Sequence, residues 1–288
     1  MSPIRERVGH CVALQRKPTY SPQQHLANDA AIMDAVAQAL ERRGWRVTRS
    51  SEALLEDHPV PPADLYLNMC QGPAASEQLV NLERAGAMLV NTPSSVLACH
   101  RHRLVRKLSG SGIPFPRTLI VGSWLAGVEA QALSEFVGAH QSIWIKRGDV
   151  HAETSEDVVL ARADQVLASL ARFAVRGIGR VAVQEHVRGP VIKFYGVADR
   201  GFFRFYDAKL GPDGPTPVVD EPRLRAIAFE AAELLGLQVF GGDVALPAPE
   251  QPVLIDLNDW PSFAPYRAQA ALAIADFVHR QAQQGVAA

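Results

Sequence analysis

Three common features are absent or scarce in this sequence. There are only three cysteines, Cys11, Cys70 and Cys99, which lie far apart without metal-binding spacing. Such cysteines are typical of reduced thiols rather than of a disulfide framework. No run of about 18 apolar residues occurs, which argues against a membrane-spanning helix. The N-terminal segment carries charges where a signal peptide needs an uninterrupted apolar stretch, so we expect a cytoplasmic location.

An excess of one charge sign is also lacking. The chain has 29 basic and 30 acidic side chains, for a formal net charge of -1 at pH 7. We therefore expect no general attraction to nucleic acid or to membranes, although local basic pockets stay open. Apolar residues at 48% and charged residues at 20% exclude a disordered chain. The composition predicts a soluble enzyme or binding protein, and 288 residues leave room for two or three subdomains.

Strands and helices alternate in residues 1–93, which predicts an N-terminal open α/β domain with a parallel sheet. Ligands bind at strand ends in such sheets, so we expect substrate choice at residues 16–25 and 68–72. Strands are predicted at residues 8–14, 45–47, 64–68 and 88–90, and helices at residues 32–40 and 79–85.

Two further parts complete the predicted organisation, which is α/β overall with an α+β C-terminal part. Residues 94–188 begin with a basic helix at residues 96–108 and continue as a small lid, and residues 189–288 form the C-terminal subdomain. In the lid, strands are predicted at residues 118–121, 143–146 and 180–184, and helices at residues 130–137 and 164–174. In the C-terminal subdomain, strands are predicted at residues 192–198, 202–207, 242–246 and 253–257, and helices at residues 224–235 and 266–281.

The most informative segment is the predicted strand at residues 253–257, which ends in an Asp-x-Asn pattern followed by a proline turn. Alternation places Asp256 and Asn258 on one face of the strand. Two oxygen ligands about 7 Å apart can flank a hard cation that also holds phosphate oxygens. Asp243 adds a third acidic group on the neighbouring strand. The alternative is that these side chains are only polar groups at a strand end.

Polar residues occur in a characteristic order before this strand. Lys146 lies on an apolar strand, residues 184–187 (Gln-Glu-His-Val) end another, and Lys193 follows on a third. With the Gly-Ile-Pro-Phe-Pro signature at residues 112–116, this order resembles the ATP-grasp superfamily over residues 91–263. The resemblance is to its glutathione synthetase-like and ribosomal-protein glutamate ligase-like members.

The resemblance implies an ATP-grasp fold behind an N-terminal open-sheet domain, with ATP and two magnesium ions as cofactors. It implies that Lys146 and Lys193 bind ATP phosphates and that Glu185 accepts from the adenine amino group. Taken singly, each lysine is better explained as a solvated lysine at a strand edge, and it is the order of the residues that favours phosphate binding. The nucleotide-binding residues that it implies are Arg103, Lys146, His151, Gln184, Glu185, His186, Val187 and Lys193. The magnesium ligands that it implies are Asp243, Asp256 and Asn258.

Two departures from the family pattern occur. The family's Asp-Lys pair before the signature is His102-Arg103 here, which keeps a cation but removes the acid. The phosphate-covering loop, residues 147–154, has a single glycine, so fewer backbone amides are free to wrap phosphates. His151 is either a replacement donor or an ordinary loop histidine.

Three basic residues are candidate catalytic contacts to the substrate: Arg204, Lys209 and Arg267. The first two lie on or after a strand beside the metal strands, and Arg267 follows the proline turn. An arginine fork suits a carboxylate or phosphate, which favours an anionic small molecule or peptide as substrate. Each of the three is equally compatible with a surface charge.

Three functions are compatible with these residues. The first is a carboxylate-amine ligase, in which ATP phosphorylates a carboxylate and an amine displaces phosphate. The second is a small-molecule kinase, since the Asp-x-Asn strand end and residues 184–187 also resemble inositol phosphate kinases. The third is a nucleotide-binding module without turnover. The sequence leaves both a monomer and a homodimer open.

Overall fold

Three four-stranded sheets form the framework of the protein. The computed structural model describes residues 9–21, 26–125, 127–150 and 154–286. The strands are β1 (His10–Gln15), β2 (Arg46–Ser51), β3 (Leu65–Asn68), β4 (Met88–Val90), β5 (Thr118–Gly122), β6 (Ser142–Arg147), β7 (Val158–Arg162), β8 (Arg180–Glu185), β9 (Val191–Val197), β10 (Phe202–Asp207), β11 (Val239–Ala245) and β12 (Val253–Asp259). The helices are α1 (Leu26–Glu41), α2 (Pro73–Arg84), α3 (Pro93–Ala98), α4 (Arg101–Leu108), α5 (Val128–Gly138), α6 (Val166–Val175), α7 (Glu221–Leu235) and α8 (Arg267–Val286).

The N-terminal sheet has the order β2-β1-β3-β4 and is parallel throughout, which confirms the predicted open α/β fold class. Helix α1 buries Ile32, Val36 and Leu40, which share one helix face, in a core that also includes residues of α8. Burying each such side chain contributes about 1.5 to 3 kcal/mol. Helix α2 covers the other face and begins at Pro73, six residues before the predicted start, because proline suits the first helical turn.

The lid sheet has the order β5-β8-β6-β7 and is antiparallel. Helices α5 and α6 cover one face, so that the other is left for the C-terminal sheet. Strand β7 is absent from the predicted strands, although the short apolar run that begins at Val158 was a signal for it. None of the helices in the described ranges has the length and apolar character that a membrane span requires.

The C-terminal sheet has the order β10-β9-β11-β12 and is also antiparallel. Helix α7 packs on one face, and the opposite face meets α8 near one end and the lid near the other. The Asp220 carboxylate accepts from the Arg223 amide at 3.0 Å and so caps the N-terminus of α7. Gly236, with φ of 75°, ends it.

The single basic helix predicted at residues 96–108 is wrong, because the structure has two helices there. Thr92 caps α3 by accepting from the Ser95 amide. The chain then turns at His100, whose φ and ψ of -56° and 126° are not helical, and α4 begins at Arg101. The turn gives α4 a new direction toward the lid strand β6.

A buried amide joins the N-terminal sheet to the C-terminal sheet. The Asn91 side chain donates to the Val239 carbonyl at 2.7 Å and accepts from the amides of Gln238 and Val239 at 2.8 and 2.9 Å. The Asn68 side chain donates to the Asn91 carbonyl at 3.0 Å. Because buried polar groups must be paired, these bonds fix where the two sheets meet. The division into parts at residues 93 and 188 stays a prediction.

Replacing Asn91 with alanine should destabilise this junction. The amides of Gln238 and Val239 would lose their acceptor, at about 1 to 3 kcal/mol for each buried group, while the Val239 carbonyl would keep the Trp260 amide at 3.2 Å. We expect the free energy of unfolding, measured by urea denaturation, to fall by roughly 3 kcal/mol. Asn81→Ala, at an exposed position of α2, is the control. A loss below about 0.5 kcal/mol for Asn91→Ala would contradict the proposed role of this amide.

Candidate active site

Three predicted site residues lie side by side on the C-terminal sheet. Lys193 of β9 is the register partner of Asp243 of β11, and Asp243 is the register partner of Asp256 of β12. Asn258 lies two residues further along β12, opposite Gly241. The strand register therefore brings together the two predicted carboxylate ligands, the predicted amide ligand and one predicted phosphate-binding lysine.

A β-bulge in β12 decides which side chains face this site. Val244 pairs with Leu254 and Asp243 pairs with Asp256, so Ile255 is the extra residue. Leu254 and Leu257 consequently both pack in the core although they are three residues apart. The extra residue shifts the alternation of side chains by one position, so Asp256 and Asn258 lie half-buried on the opposite face of the sheet.

Each of the two carboxylates is paired with a cation. The Lys193 Nζ donates to Asp243 Oδ1 at 2.8 Å, and the Arg101 Nη2 donates to Asp256 Oδ2 at 2.8 Å. Burial opposes the charge on Lys193, but the neighbouring Asp243 carboxylate outweighs it and raises the pKa of this lysine. The two ion pairs hold opposite charges close together in a partly desolvated site.

Lys146 reaches this cluster from the lid. Its side chain is only 5% exposed, and its Nζ donates to Gln184 Oε1 at 2.6 Å and to the carbonyl of Ile255, the bulge residue, at 3.4 Å. Gln184 is held in turn by its bond to Thr118 Oγ1 at 3.1 Å. Burial lowers the pKa of Lys146 to about 8, and the Asp256 carboxylate opposes this shift. The structure thus brings Lys146 and Gln184 to the same site as Lys193.

Arg101 is the site residue that sequence reasoning missed. Its Nη1 donates to the Arg147 carbonyl of β6 at 2.8 Å while its Nη2 holds Asp256, so it touches both the lid and β12. Arg103, the predicted phosphate ligand, is exposed. A signal for Arg101 was present: it shares the buried face of α4 with Leu104 and Leu108, at positions i, i+3 and i+7.

The start of the predicted phosphate-covering loop, residues 147–154, is packed tightly. A Cβ at Gly148 would lie 2.9 Å from the Arg180 carbonyl, so only glycine fits between α4 and β8. The Gly148 carbonyl accepts from the His102 amide at 2.9 Å and also lies 2.9 Å from His102 Nδ1. Burial lowers the pKa of His102. His151, predicted as a phosphate donor, lies outside the described residues.

The predicted adenine-binding residues, 185–187, directly follow Gln184 at the end of β8. Alternation along β8 places Glu185 on the opposite face from Gln184, with its carboxylate 4.0 Å from His140 Nε2. The Trp144 indole donates to His186 Nδ1 at 2.9 Å, and burial lowers the pKa of His186. Val187 is half-buried. The structure does not bring the Glu185 carboxylate together with Lys146, and the adenine contacts stay predictions.

The three predicted substrate residues lie on β10, just after β10 and at the start of α8. Arg204 is exposed, and its Nε donates to Gln269 Oε1 at 3.2 Å. Lys209 is exposed after β10. Arg267 is half-buried, and its Nη2 donates to Asn28 Oδ1 at 2.6 Å. The structure places Arg204 and Arg267 near the first turn of α8 and leaves Lys209 apart from them.

The loops of the N-terminal sheet meet the end of β12, as far as they are described; residues 22–25 lie outside the described ranges. Arg16 lies between Asp29, at 3.2 Å, and Asp259, at 3.9 Å. The Gln71 side chain donates to Asp259 Oδ1 at 3.4 Å. Sequence reasoning missed Glu52, a buried carboxylate that accepts from the amides of residues 17, 71 and 72 and whose pKa is raised by burial.

The donor set on β11 and β12 fits a magnesium ion that is shared with phosphate oxygens. Within the described ranges, no three or more His, Cys, Asp or Glu side chains form a group that could hold a metal. Asp243, Asp256 and Asn258 supply two carboxylates and one amide, all hard oxygen ligands on one sheet face. Magnesium commonly binds through one or two carboxylates together with substrate phosphates.

The buried charge of Lys146 should make stability depend on pH. The pKa of about 8 in the folded chain lies below the ordinary value of 10.5, so the unfolded chain binds more protons between these values. The cost of burying the charge is fully present below pH 8 and is lost as the pH rises toward 10.5. We expect the stability advantage of Lys146→Met over the parent to narrow by roughly 2 kcal/mol from about pH 7 to about pH 9.5.

Urea denaturation of the parent and the variant at several pH values measures this difference. Lys107→Met, which removes an exposed lysine, is the matched control, and its difference from the parent should stay constant. A constant difference for Lys146→Met would show that burial does not lower the pKa of Lys146, because the folded and unfolded chains would then bind the same number of protons.

No known family model matches the sequence, and no curated protein sequence matches it either. Solved structures do share its architecture. The D-alanine–D-alanine ligase from Bacillus anthracis is 13% identical with a TM-score of 0.70, over 96% of this chain and 98% of that chain. The RimK domain protein ATP-grasp from Sphaerobacter thermophilus is 21% identical with a TM-score of 0.66, over 93% and 99%.

D-cycloserine synthetase DcsG is 18% identical with a TM-score of 0.64, over 94% of this chain and 100% of that chain. At these identities the likeness concerns the fold, and it extends over nearly the full length of each protein. The order of residues in the sequence and the three-dimensional comparison thus agree, and the protein has the ATP-grasp fold.

Proposed function

We propose that the protein is an ATP- and magnesium-dependent carboxylate-amine ligase that acts through an acylphosphate. The observation that carries the proposal is the cluster between lid and C-terminal sheet, where Lys146, Lys193 and Arg101 surround Asp243 and Asp256. The similar solved structures include proteins named as a ligase and a synthetase, which supports the same class of reaction.

The three cations would bind the nucleotide phosphates. Lys146 projects from the lid, Lys193 from the C-terminal sheet and Arg101 from α4, so they approach one point from three elements. The magnesium ligands would be Asp243, Asp256 and Asn258. Magnesium, when bound, would neutralise phosphate charge as a Lewis acid. The adenine contacts at residues 185–187 and the phosphate contacts of Arg103 and His151 remain part of the proposal.

The proposed reaction needs positioning and charge neutralisation rather than a protein nucleophile. A substrate carboxylate oxygen attacks the γ-phosphorus and ADP leaves; an amine then attacks the acyl carbon and phosphate leaves. The cysteines do not suit a covalent role, since Cys70 and Cys99 are buried and burial raises the pKa of both thiols. Fixed cations at the phosphates would stabilise the charge that develops during transfer.

The substrate side of the proposal rests on the sheet edge and on the N-terminal loops. Arg204, Lys209 and Arg267 would bind an anionic small molecule or peptide, and the loops around Arg16 and Gln71 would select among substrates. A cytoplasmic location and a homodimer are both compatible with the proposal.

A product screen tests the reaction class. The protein is incubated with ATP, magnesium and mixed amino acids, and products are separated by mass spectrometry. A ligase gives ADP, phosphate and a condensed product. A phosphorylated alcohol would replace the proposal with a kinase, and the absence of ADP with every substrate would favour a nucleotide-binding module without turnover.

Changing the two ligands on β12 should weaken the same magnesium site. Asp256→Asn removes a charge but keeps the shape, and its side chain is 21% exposed, so we expect the fold to persist. Asn258→Ala removes the second ligand. Each change should reduce turnover by roughly tenfold or more and raise the magnesium concentration needed for half-maximal activity.

Because both residues would serve one ion, the double variant should lose less activity than the product of the two single losses. Asp164→Asn, on the exposed lid surface, is the charge-matched control. Strictly multiplicative losses, or an Asp256→Asn variant with the parent's magnesium dependence, would show that this strand end is a polar turn only.

A further inference from the structure

Three tyrosines form a regular cluster on the site face of the C-terminal sheet. The ring centroids of Tyr195 and Tyr206 are 6.3 Å apart, those of Tyr195 and Tyr266 are 6.2 Å apart, and those of Tyr206 and Tyr266 are 6.3 Å apart. The hydroxyls of Tyr195 and Tyr206 lie 3.4 Å from each other. We refer to these residues as the tyrosine cluster.

The rings of the tyrosine cluster differ in their exposure. Tyr195 is only 9% exposed and packs against Phe263, at a centroid distance of 5.2 Å. Tyr206 and Tyr266 are half-buried, so parts of both rings reach the solvent. A buried ring therefore supports two partly open ones, an arrangement that offers an aromatic surface to a ligand.

The tyrosine cluster adjoins the proposed phosphate and magnesium residues. Tyr206 of β10 is the register partner of Lys193 of β9, and the Lys193 Nζ holds Asp243. Register partners lie roughly 5 Å apart on the same sheet face. At a strand spacing of about 4.8 Å, Asp243 lies two strands and Asp256 three strands from Tyr206, so a ligand that rests on Tyr206 approaches these carboxylates from the β10 side of the sheet.

Two arginines flank the open rings. Arg204 lies two residues before Tyr206 on the same strand face, and its charge opposes the rise that burial causes in the pKa of Tyr266. Arg267 directly follows Tyr266, and its buried Nε has no hydrogen-bond partner within the described residues. This Nε is therefore available to donate to an acceptor on a bound ligand.

We propose that Tyr206 and Tyr266 bind an aromatic side chain of the substrate, while Arg204 and Arg267 bind a carboxylate that the reaction does not consume. The substrate class is an aromatic amino acid, free or at the end of a peptide. The proposal deepens the proposed function, on which it rests for the role of the neighbouring phosphate site. A merely structural cluster would hold α8 on the sheet without any preference among ligands.

Calorimetric binding without ATP tests this inference separately from the ligase reaction. The probes are free phenylalanine, N-acetyl-phenylalanine, which represents a peptide end, and N-acetyl-alanine, which lacks the ring. We expect one of the aromatic probes to bind about tenfold more tightly than N-acetyl-alanine. The one that binds distinguishes a free amino acid from a peptide end.

Variants locate the preference. Tyr206→Leu removes a ring while keeping an apolar side chain and should reduce the preference about tenfold, whereas Tyr206→Phe should keep it. Trp124→Leu, which removes an exposed ring from the lid, is the control. Arg267→Gln should weaken binding of both acetylated probes, because they share the carboxylate. The melting temperature of each variant shows whether it folds.

The outcomes separate the two proposals. An equal affinity for ringed and ringless probes, or an undiminished preference in folded Tyr206→Leu, overturns the inference. Ligation of aliphatic amino acids alone in the product screen overturns it while leaving the ligase reaction standing. Tight, Tyr206-dependent binding of an aromatic probe without any condensed product supports the binding site and instead overturns the proposed reaction.

Discussion

The guanidinium of Arg101 joins the lid to the C-terminal sheet. It is nearly buried, it donates to a backbone carbonyl of β6, and it pairs with Asp256 of β12. A buried charge is tolerated only where its partners are in place, because an unpaired one is costly to desolvate. The contact of Lys146 with the bulge carbonyl at Ile255 lies beside it, so both lid cations reach the same short stretch of β12.

This cluster carries more positive than negative charge. Among the five side chains of the cluster, Lys146, Lys193 and Arg101 carry positive charge, while Asp243 and Asp256 carry negative charge. The surplus cation favours an anionic ligand, and the partial burial strengthens its field. The carboxylates keep the cations oriented, which lowers the reorganisation that phosphate binding would need.

Much of the fold and of the cluster around Asp256 could be predicted from the sequence, and the features that could not be predicted have physical causes. Alternation placed Asp256 and Asn258 on one face, as the structure does, because the bulge at Ile255 lies before both residues. Helical spacing alone does not reveal the turn at His100. The cation of this helix was predicted at Arg103, as a phosphate contact, whereas Arg101 is the residue that pairs with Asp256. Contacts between different elements decide which cation meets Asp256, and the residue pattern of a single helix or strand does not contain this information.

The buried amide of Asn91 has a consequence for how specificity can change. It fastens the edge of the N-terminal sheet to β11, so the loops around Arg16 and Gln71 stand at a set distance from β12. Under the proposed function, the parts that choose the substrate and the strand that supports catalysis form one rigid frame. New substrates would then be accommodated by exchanging side chains within that frame. Any movement that closes the site over a substrate would come from the lid alone.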